Sequence, residues 1–567
     1  MIAPGKLDTA SSPQHTTLDR KPWPREPGDN DTAFTFRGFE LHGGRMWQRN
    51  HILQALDFIE THRMTALVLH ESDIIHHLVF PRAYFNPYAQ WKNAPARRGE
   101  NALQNNRIYF DHILHLANNR GVEIWLEVKE LAFPDEVLEM NPGLLKNGIV
   151  CPSEPFWAEF IEQKTQELVH DFPLLTGIIL SPGSPEGRAS RAQNKCRCEV
   201  CESTTLPDWY DRIIRAMHAP LRRAGKRLAV RDFAYKPADH EPLIEAVSRQ
   251  ADDVIFCIKV TPHDFYPTFP DNPAIGRLPR EQWVEYDTQG QFFGWGVFPS
   301  AMFDDIRQRM DHARRRGVTG GLFRSEWERV NDWWVLESLN VLNMMTAATL
   351  ARDPRATDEA IVTAWLQAQG MPVDAAGWLL SVLRETWPIL RGALFVDDFV
   401  FADCSMFPRG LGRAWWTMEV KHSLEAWAPA YRGRLDLNGE RIESLMQEKR
   451  RAHAGAMALV ARLAADTDAP APLRAQLQDW TALLPRYAEG MMLCAEVCLR
   501  ARWQERDPAR SDKAAFRVAL SRLEQFGEGL APLVEAGRYP HQTLMLLDFR
   551  RVADIAAEAR TVLEAPQ

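Results

Sequence analysis

The chain has 567 residues, a quarter of them charged, with a formal net charge of -8 and an isoelectric point near 6.1. That length exceeds what one hydrophobic core usually serves, so two structural units, or a large barrel with an appendage, are expected. The acidic balance excludes partners that demand a basic face, namely nucleic acids and anionic membranes.

Residues 1–33 hold no apolar run of signal-peptide length and read as a disordered leader. No later segment offers the ~18 consecutive apolar residues of a membrane span. Eight cysteines, three of them packed as CRCEVC, suit a reduced protein better than a disulfide scaffold, which places the chain in the cytoplasm.

From residue 34 onward, short apolar runs rich in β-branched and aromatic residues alternate with stretches of helical period. The strand candidates are TFRGFELHG, ALVLHES, VEIWLEVKE, GIILSP, RLAVRDFAY, DVIFCIKV, WVEYDTQG (or the adjoining QFFGWGVF) and GGLFRSEW. A helix with Ile52, Leu56 and Ile59 on one face separates the first two. Eight strand signals spaced by helices fit a (β/α)8 TIM barrel over residues 34–350, with an open doubly wound sheet as runner-up. Nearly every candidate strand ends in polar residues: His70 and Glu71, Lys129 and Glu130, Glu186, Arg231 and Asp232, Lys259 to Asp264, Glu285, Glu326. Barrel active sites are built from such ends, and this favours the barrel. Strand signals then stop, and residues 351–567 read as an all-helical domain, with Ile442, Leu445, Met446, Leu459, Val460 and Leu463 on one stripe. The stretch ALFVDDFVFADCSMFPRGLGRAWW is too irregular for a plain bundle helix.

Five constellations carry candidate chemistry. In GIILSPGSPEGR two prolines and Gly183 would hold Glu186 at a fixed place above the barrel; a surface ion pair with Arg188 or Arg191 is the alternative. The segment DVIFCIKVTPHDFYPTFPDNPAIG sets Lys259, His263, Asp264, Tyr266 and Asp271 in one loop. This mixture suits sugars, whose hydroxyls take directional hydrogen bonds and whose C–H faces pack on rings. WVEYDTQGQFFGWGVFP adds Glu285, Asp287, Gln291 and Trp295, and LFRSEWERVNDWW adds Arg324, Glu326 and Trp327, or else a capped helix start. Cys196, Cys198 and Cys201 have the close spacing of a soft-metal site, which Cys151 could complete as a closed structural zinc centre; unligated thiols are the alternative.

Together these stretches resemble glycoside hydrolase family 67, the α-glucuronidases. GIILSPGSPEGR is similar to the family segment ending in Ser-Glu-Gly-Arg that bears the general acid, which maps onto Glu186. VIFCIKVTPHDF is similar to its Ile-Lys-x-Gly-Pro-x-Asp-Phe pattern, whose Asp activates water and maps onto Asp264. WVEYDTQGQFFG resembles a third segment, with Gln291 at the family's second base, so a second carboxylate comes from Glu285 or Asp287 or is absent. The resemblance implies an exo-acting, inverting glycosidase that removes terminal sugars, uronic acids among them, from imported oligosaccharides. Glu186 is then the acid, Asp264 the base and Glu285 the further catalytic carboxylate, with no cofactor required for catalysis. Substrate contacts are expected from His70, Glu71, Lys129, Arg231, Lys259, His263, Tyr266, Asp287, Gln291, Trp295, Arg324 and Glu326. Arg188 is expected to point away, because a cation beside Glu186 would oppose its protonation. A degenerate sugar-binding barrel and a glycosidase of other specificity, including a hexosaminidase-like one that Pro185 disfavours, stay open, as does a homodimer.

Overall fold

The computed structural model describes residues 33–71, 74–82, 102–129, 131–184, 187–191, 195–326, 334–467, 469–537 and 539–565. Residues 1–32 of the expected leader, and Glu130, Pro185, Glu186 and Trp327, lie outside them.

Among the described residues, eight parallel strands close into a barrel in sequence order. They are β1 (Phe36–His42), β2 (Ala66–His70), β3 (Glu123–Lys129), β4 (Gly177–Ser181), β5 (Arg227–Arg231), β6 (Ile255–Lys259), β7 (Gln282–Asp287) and β8 (Gly320–Arg324). β8 closes on β1 with Phe36 opposite Gly320 and Glu40 opposite Arg324. All eight expected strands are present, and the seventh is WVEYDTQG, not the adjoining QFFGWGVF.

Helices follow most strands. They are α1 (Arg49–Thr61), α2 (Ala102–Asn119), α3 (Phe156–Asp171), α4 (Leu206–Arg223), α5 (Pro237–Ser248), α6 (Phe303–Arg315) and α7 (Val341–Arg352). α1 buries Ile52, Ala55, Leu56 and Ile59, a stripe with helical spacing. α4 starts at Thr205, whose hydroxyl accepts the Asp208 N–H at 3.3 Å. The connection between β6 and β7 contains no helix: five prolines remove the backbone donors a helix would need.

Within each strand, alternate residues point inward. At the N-terminal end of the barrel the inward residues are aromatic, and Phe36 stacks on Trp283 at 3.6 Å while Trp125 meets Trp283 edge-on at 5.0 Å. Room for these rings comes from glycines on neighbouring strands. A Cβ at Gly177 would lie 2.5 Å from the Trp125 ring, and one at Gly320 would strike Trp283. Both indole N–H groups remain satisfied, by Glu123 and Glu281, each at 2.9 Å.

After Arg352 the chain is helical apart from a small hairpin, Phe395–Val396 with Phe399–Val400, at the stretch too irregular for a helix. The main helices are α8 (Asp358–Ala368), α9 (Ala376–Leu394), α10 (Gly439–Ala465), α11 (Ala471–Thr481), α12 (Leu484–Arg506), α13 (Lys513–Glu535) and α14 (Phe549–Glu564). In α10 the expected stripe is buried at Ile442, Leu445, Met446, Leu459 and Leu463, with Val460 half-buried. Lys449, also buried, donates to the carbonyls of Gly392 at 2.9 Å, Ala393 at 3.3 Å and Phe395, capping the end of α9. Tyr487 of α12 stacks on Phe298 at 4.2 Å and donates to the Ser405 carbonyl, joining the bundle to the barrel's C-terminal end. No helix among the described residues is long and apolar enough to cross a membrane.

Candidate active site

Above the aromatic layer the inward positions become ionisable: Glu40 and His42 on β1, His70 on β2, Glu127 and Lys129 on β3, Arg231 on β5, Lys259 on β6, Glu285 and Asp287 on β7, and Arg324 on β8. Buried charges persist only when paired. Arg231 forks onto Glu285 at 2.5 and 2.7 Å and reaches Glu127 at 3.1 Å. Lys129 donates to Nε2 of His70 at 2.8 Å, so the His70 proton sits on Nδ1 and is donated to Glu40 at 2.8 Å. His42 also contacts Glu40. Burial pushes the carboxyls of Glu40 and Glu127 up to about 8. Burial acts the same way on Glu285, but Arg231 outweighs it and holds that carboxyl below its ordinary range. Burial thus favours the protonated forms of Glu40 and Glu127, while the Arg231 fork favours the ionised form of Glu285.

Asp264 stands at the rim, just past β6. Its backbone has φ of 45°, a left-handed conformation that costs a non-glycine residue energy and concentrates at functional sites. Its carbonyl accepts the Thr261 hydroxyl at 2.6 Å, and its carboxylate lies 3.2 Å from Lys259 Nζ and 3.6 Å from His263 Nε2. The side chain remains 20% exposed, unlike the carboxylates of the ring. Burial would raise its pKa, but Lys259 prevails and keeps it well below the usual carboxylate range. The ammonium of Lys259 lies 4.0 Å from the centroid of the half-buried Phe233 ring, giving the rim an aromatic wall.

The helical half completes this rim. His263 donates Nδ1–H to the Ala234 carbonyl at 2.8 Å, so its Nε2 accepts from Nδ1 of His422. Nε2 of His422 faces the Tyr266 hydroxyl at 3.0 Å and Asp403 at 3.3 Å. Tyr266 donates to Asp403 at 3.1 Å, and Lys421 pairs with Asp403 at 2.5 Å. Burial pushes the His263 imidazole down to about 3, so it is neutral and Lys259 is the cation that sets the state of Asp264. Gln291 donates to Cys404 at 3.3 Å, and its side-chain oxygen Oε1 is buried with no hydrogen-bond partner among the described residues. Cys404 and Ser405, like Asp264, have left-handed backbones, with φ of 52° and 58°.

Several expected contacts take other work. Asp287 accepts the N–H groups of Gln289, Gly290 and Gln291 at 2.8 to 3.1 Å, so it caps the turn after β7 and leaves little free for a substrate. Glu285 gives both oxygens to Arg231 and so lacks the free oxygen a base would need. Glu326 accepts the His42 N–H at 3.0 Å and pairs with Arg45 at 2.7 Å, while burial pushes it up to about 8. Trp295 is packed in the apolar core rather than offered to a sugar face. Glu71 accepts the Trp47 indole N–H at 2.9 Å at the edge of the ring. Arg324 donates to the Glu326 carbonyl at 3.2 Å and lies 5.5 Å from the Phe265 ring. Arg188 turns to the Phe133 carbonyl at 2.6 Å and to Asp135 on the connection after β3. Glu186 itself lies outside the described residues. Glu40, Glu127, Asp403, Lys421 and His422 were not anticipated from sequence. Period-two alternation in FELH and WLEVK, and the irregular stretch containing Asp403, were the available signals.

Among the described residues, four groups of side chains come close enough to hold a metal ion. In those built on Glu40, on Glu127 with Glu285, and on Asp264, a Lys or Arg already supplies the positive charge. The fourth is Cys151 with Cys196, Cys198 and Cys201.

No family model and no curated protein matches the chain. Among solved structures, a GH138 enzyme targeting pectin rhamnogalacturonan II aligns over 89% of this chain with a TM-score of 0.59 and 12% identity. This chain spans 62% of that enzyme's length. An O-GlcNAc hydrolase of Thermobaculum terrenum aligns over 94% of both chains at 13% identity with a TM-score of 0.43. The similarity to the GH138 enzyme, at that low identity, is one of fold: a closed eight-stranded barrel followed by helices.

Proposed function

We propose that this chain is an exo-acting glycoside hydrolase that removes a terminal acidic sugar, a uronic acid, from an oligosaccharide with inversion at the anomeric carbon. The observation that carries this reading is Asp264: a strained, partly exposed carboxylate at the C-terminal rim of the barrel, held ionised by Lys259. Such a group is ionised and so able to accept a proton from an attacking water, although the Lys259 that keeps it ionised also lowers its basicity. Glu186 is the proton donor in this reading, on sequence grounds. Its strand, β4, lies two places from β6 in the barrel. With strands about 4.8 Å apart, the ends of β4 and β6 lie roughly 9–10 Å from one another. Inverting enzymes set their two carboxyls about 6.5–9.5 Å apart, which leaves room for a water, whereas retention needs about 5–5.5 Å.

The charge of the site supports an acidic sugar. Four cations, Lys129, Arg231, Lys259 and Arg324, gather at the strand ends, and burial favours the neutral forms of Glu40 and Glu127, which suits an anionic group on the substrate. The α-glucuronidase-like motifs point the same way, and the GH138 neighbour's name brings pectic oligosaccharides into consideration. Asp403, Lys421 and His422 act in this reading as positioning residues for the Asp264 loop.

The test is turnover of uronic-acid-capped pectin and xylan oligosaccharides, followed by proton NMR from the first minutes. Early release of the inverted anomer, abolished by Asp264→Asn and by Glu186→Gln, is expected. Early release of the retained anomer would refute the mechanism. Calorimetric binding without any product would favour a sugar-binding barrel, for which the Gln291 position is the motivation.

A further inference from the structure

Cys151 lies on the connection between β3 and α3, and Cys196, Cys198 and Cys201 lie on the connection between β4 and α4. Their four sulfurs sit within 4.8 Å of one another, with Cys151 3.4 Å from both Cys198 and Cys201. These distances are far beyond the ~2.05 Å of a disulfide bond. They approach the S–S edge of about 3.8 Å that a tetrahedron with zinc–sulfur arms of about 2.3 Å must have. Cys151, Cys196 and Cys201 are buried, and Cys198 is half-buried.

The surroundings suit a negative centre. The backbone N–H groups of Ser153, Cys198 and Cys201 hydrogen-bond to the sulfurs of Cys151, Cys196 and Cys198 respectively, and the ammonium of Lys146 stands near Cys151 and Cys198. Outer-shell donors of this kind orient thiolates and offset their charge. Both connections are also pinned independently of any ion. Trp157 donates to the Cys151 carbonyl at 2.7 Å, Trp209 to the Pro152 carbonyl at 2.8 Å, and Arg191 to the Cys201 carbonyl at 2.7 Å. The cage is thus preformed, and it has no carboxylate or histidine that would favour a harder ion.

We propose that Cys151, Cys196, Cys198 and Cys201 bind one zinc ion as a closed tetrathiolate centre, tying the connection after β3 to the connection after β4 at the mouth of the barrel. Loading releases the thiol protons to solvent and leaves a centre of net charge about −2. With four protein ligands no position stays open for a substrate or a reactive water, so the role is mechanical.

The test uses the full chain purified without chelator, and no readout depends on turnover. Metal analysis should find about one zinc per chain, and X-ray absorption should find four sulfurs at about 2.3 Å. Cobalt(II) exchange should give the strong visible absorption of tetrahedral thiolate coordination. Cys198→Ser, at the half-buried corner, should lose zinc to a chromophoric chelator at least tenfold more readily, while Cys494→Ser on α12 should not. Stripping zinc should expose the β4–α4 connection to protease, and adding zinc back should reverse this. Less than about a tenth of an equivalent after incubation with zinc, with all four thiols reactive or disulfide-bonded in denaturant, would overturn the site. Full zinc with unchanged protease sensitivity on stripping would overturn the tie.

Discussion

Replacing Arg231 by Met tests whether the barrel interior is an electrostatic unit. Arg231 is buried and holds both oxygens of Glu285 and one of Glu127. Removing one partner of a buried pair costs about 3–5 kcal/mol, because the remaining charge is left desolvated. For a unit of about 320 residues the unfolding entropy is roughly 0.7 kcal/mol/K, so the barrel's transition should fall by about 4–8 °C. The loss should depend on pH. In the native protein Glu285 is held below its unfolded pKa near 4.5, so its contribution is present above that pH and is lost only as pH falls through the lower folded value. In Arg231→Met burial is opposed only by the more weakly acting Lys259 and Arg324, and the folded pKa is expected to rise above 4.5. The native state then binds more protons than the unfolded chain over the window above 4.5, and stability falls as pH rises through it. Glu40 and Glu127, pushed up to about 8 in the native protein, already impose such a slope on it; both lose an opposing cation in Arg231→Met, so their folded pKa values rise further and add to the widening. Calorimetry between about pH 5 and pH 8 should show the deficit widening with pH. A deficit that is absent, or constant across this range, would refute the reasoning.

Three further outcomes are expected. At 3.2 Å, Lys259 stabilises the Asp264 carboxylate by about 1.3 to 5 kcal/mol for dielectrics between 80 and 20. Lys259→Met should therefore raise the acidic limb of the kcat/KM profile by about 1 to 4 pH units; an unmoved limb would separate Asp264 from the base step. Gly177→Ala forces a methyl onto the Trp125 ring and the Arg227 carbonyl, both 2.5 Å away, and should destabilise the barrel by about 1–3 kcal/mol in denaturant titrations. His422→Phe keeps the ring volume but removes the donor to His263, so kcat should fall about tenfold with KM little changed, while equal effects on both would indicate lost substrate binding instead.

The barrel was readable from the chain because its strands are buried on both faces and announce themselves as short β-branched and aromatic runs between helical periods. Strand ends were readable for the same reason: Lys129, Arg231, Lys259, Glu285 and Arg324 break apolar runs where a buried strand has no use for charge. Glu40 and Glu127 escaped notice because each sits one turn of the pleat deeper, flanked by apolar neighbours, where a single carboxylate looks like an outward-facing residue. Which partner a carboxylate chooses is a matter of three-dimensional packing. Asp287 therefore looked like a sugar ligand and caps a turn, and Glu285 looked like a base and anchors an arginine. Asp403 and His422 follow Asp264 by well over a hundred residues, and no local pattern announces a contact at that separation. Trp295 was expected to contact substrate, yet it lies in an aromatic run where Gly294 and Gly296 take positive φ, and its ring packs in the apolar core.

The rings of Phe36, Trp125 and Trp283, one pair stacked and the others edge-on, plug the N-terminal end of the barrel. On the proposed glycosidase reading, a sugar released at the C-terminal rim would leave by the face its parent oligosaccharide entered. A free acidic monosaccharide should then compete with the whole oligosaccharide, and turnover should slow as product accumulates.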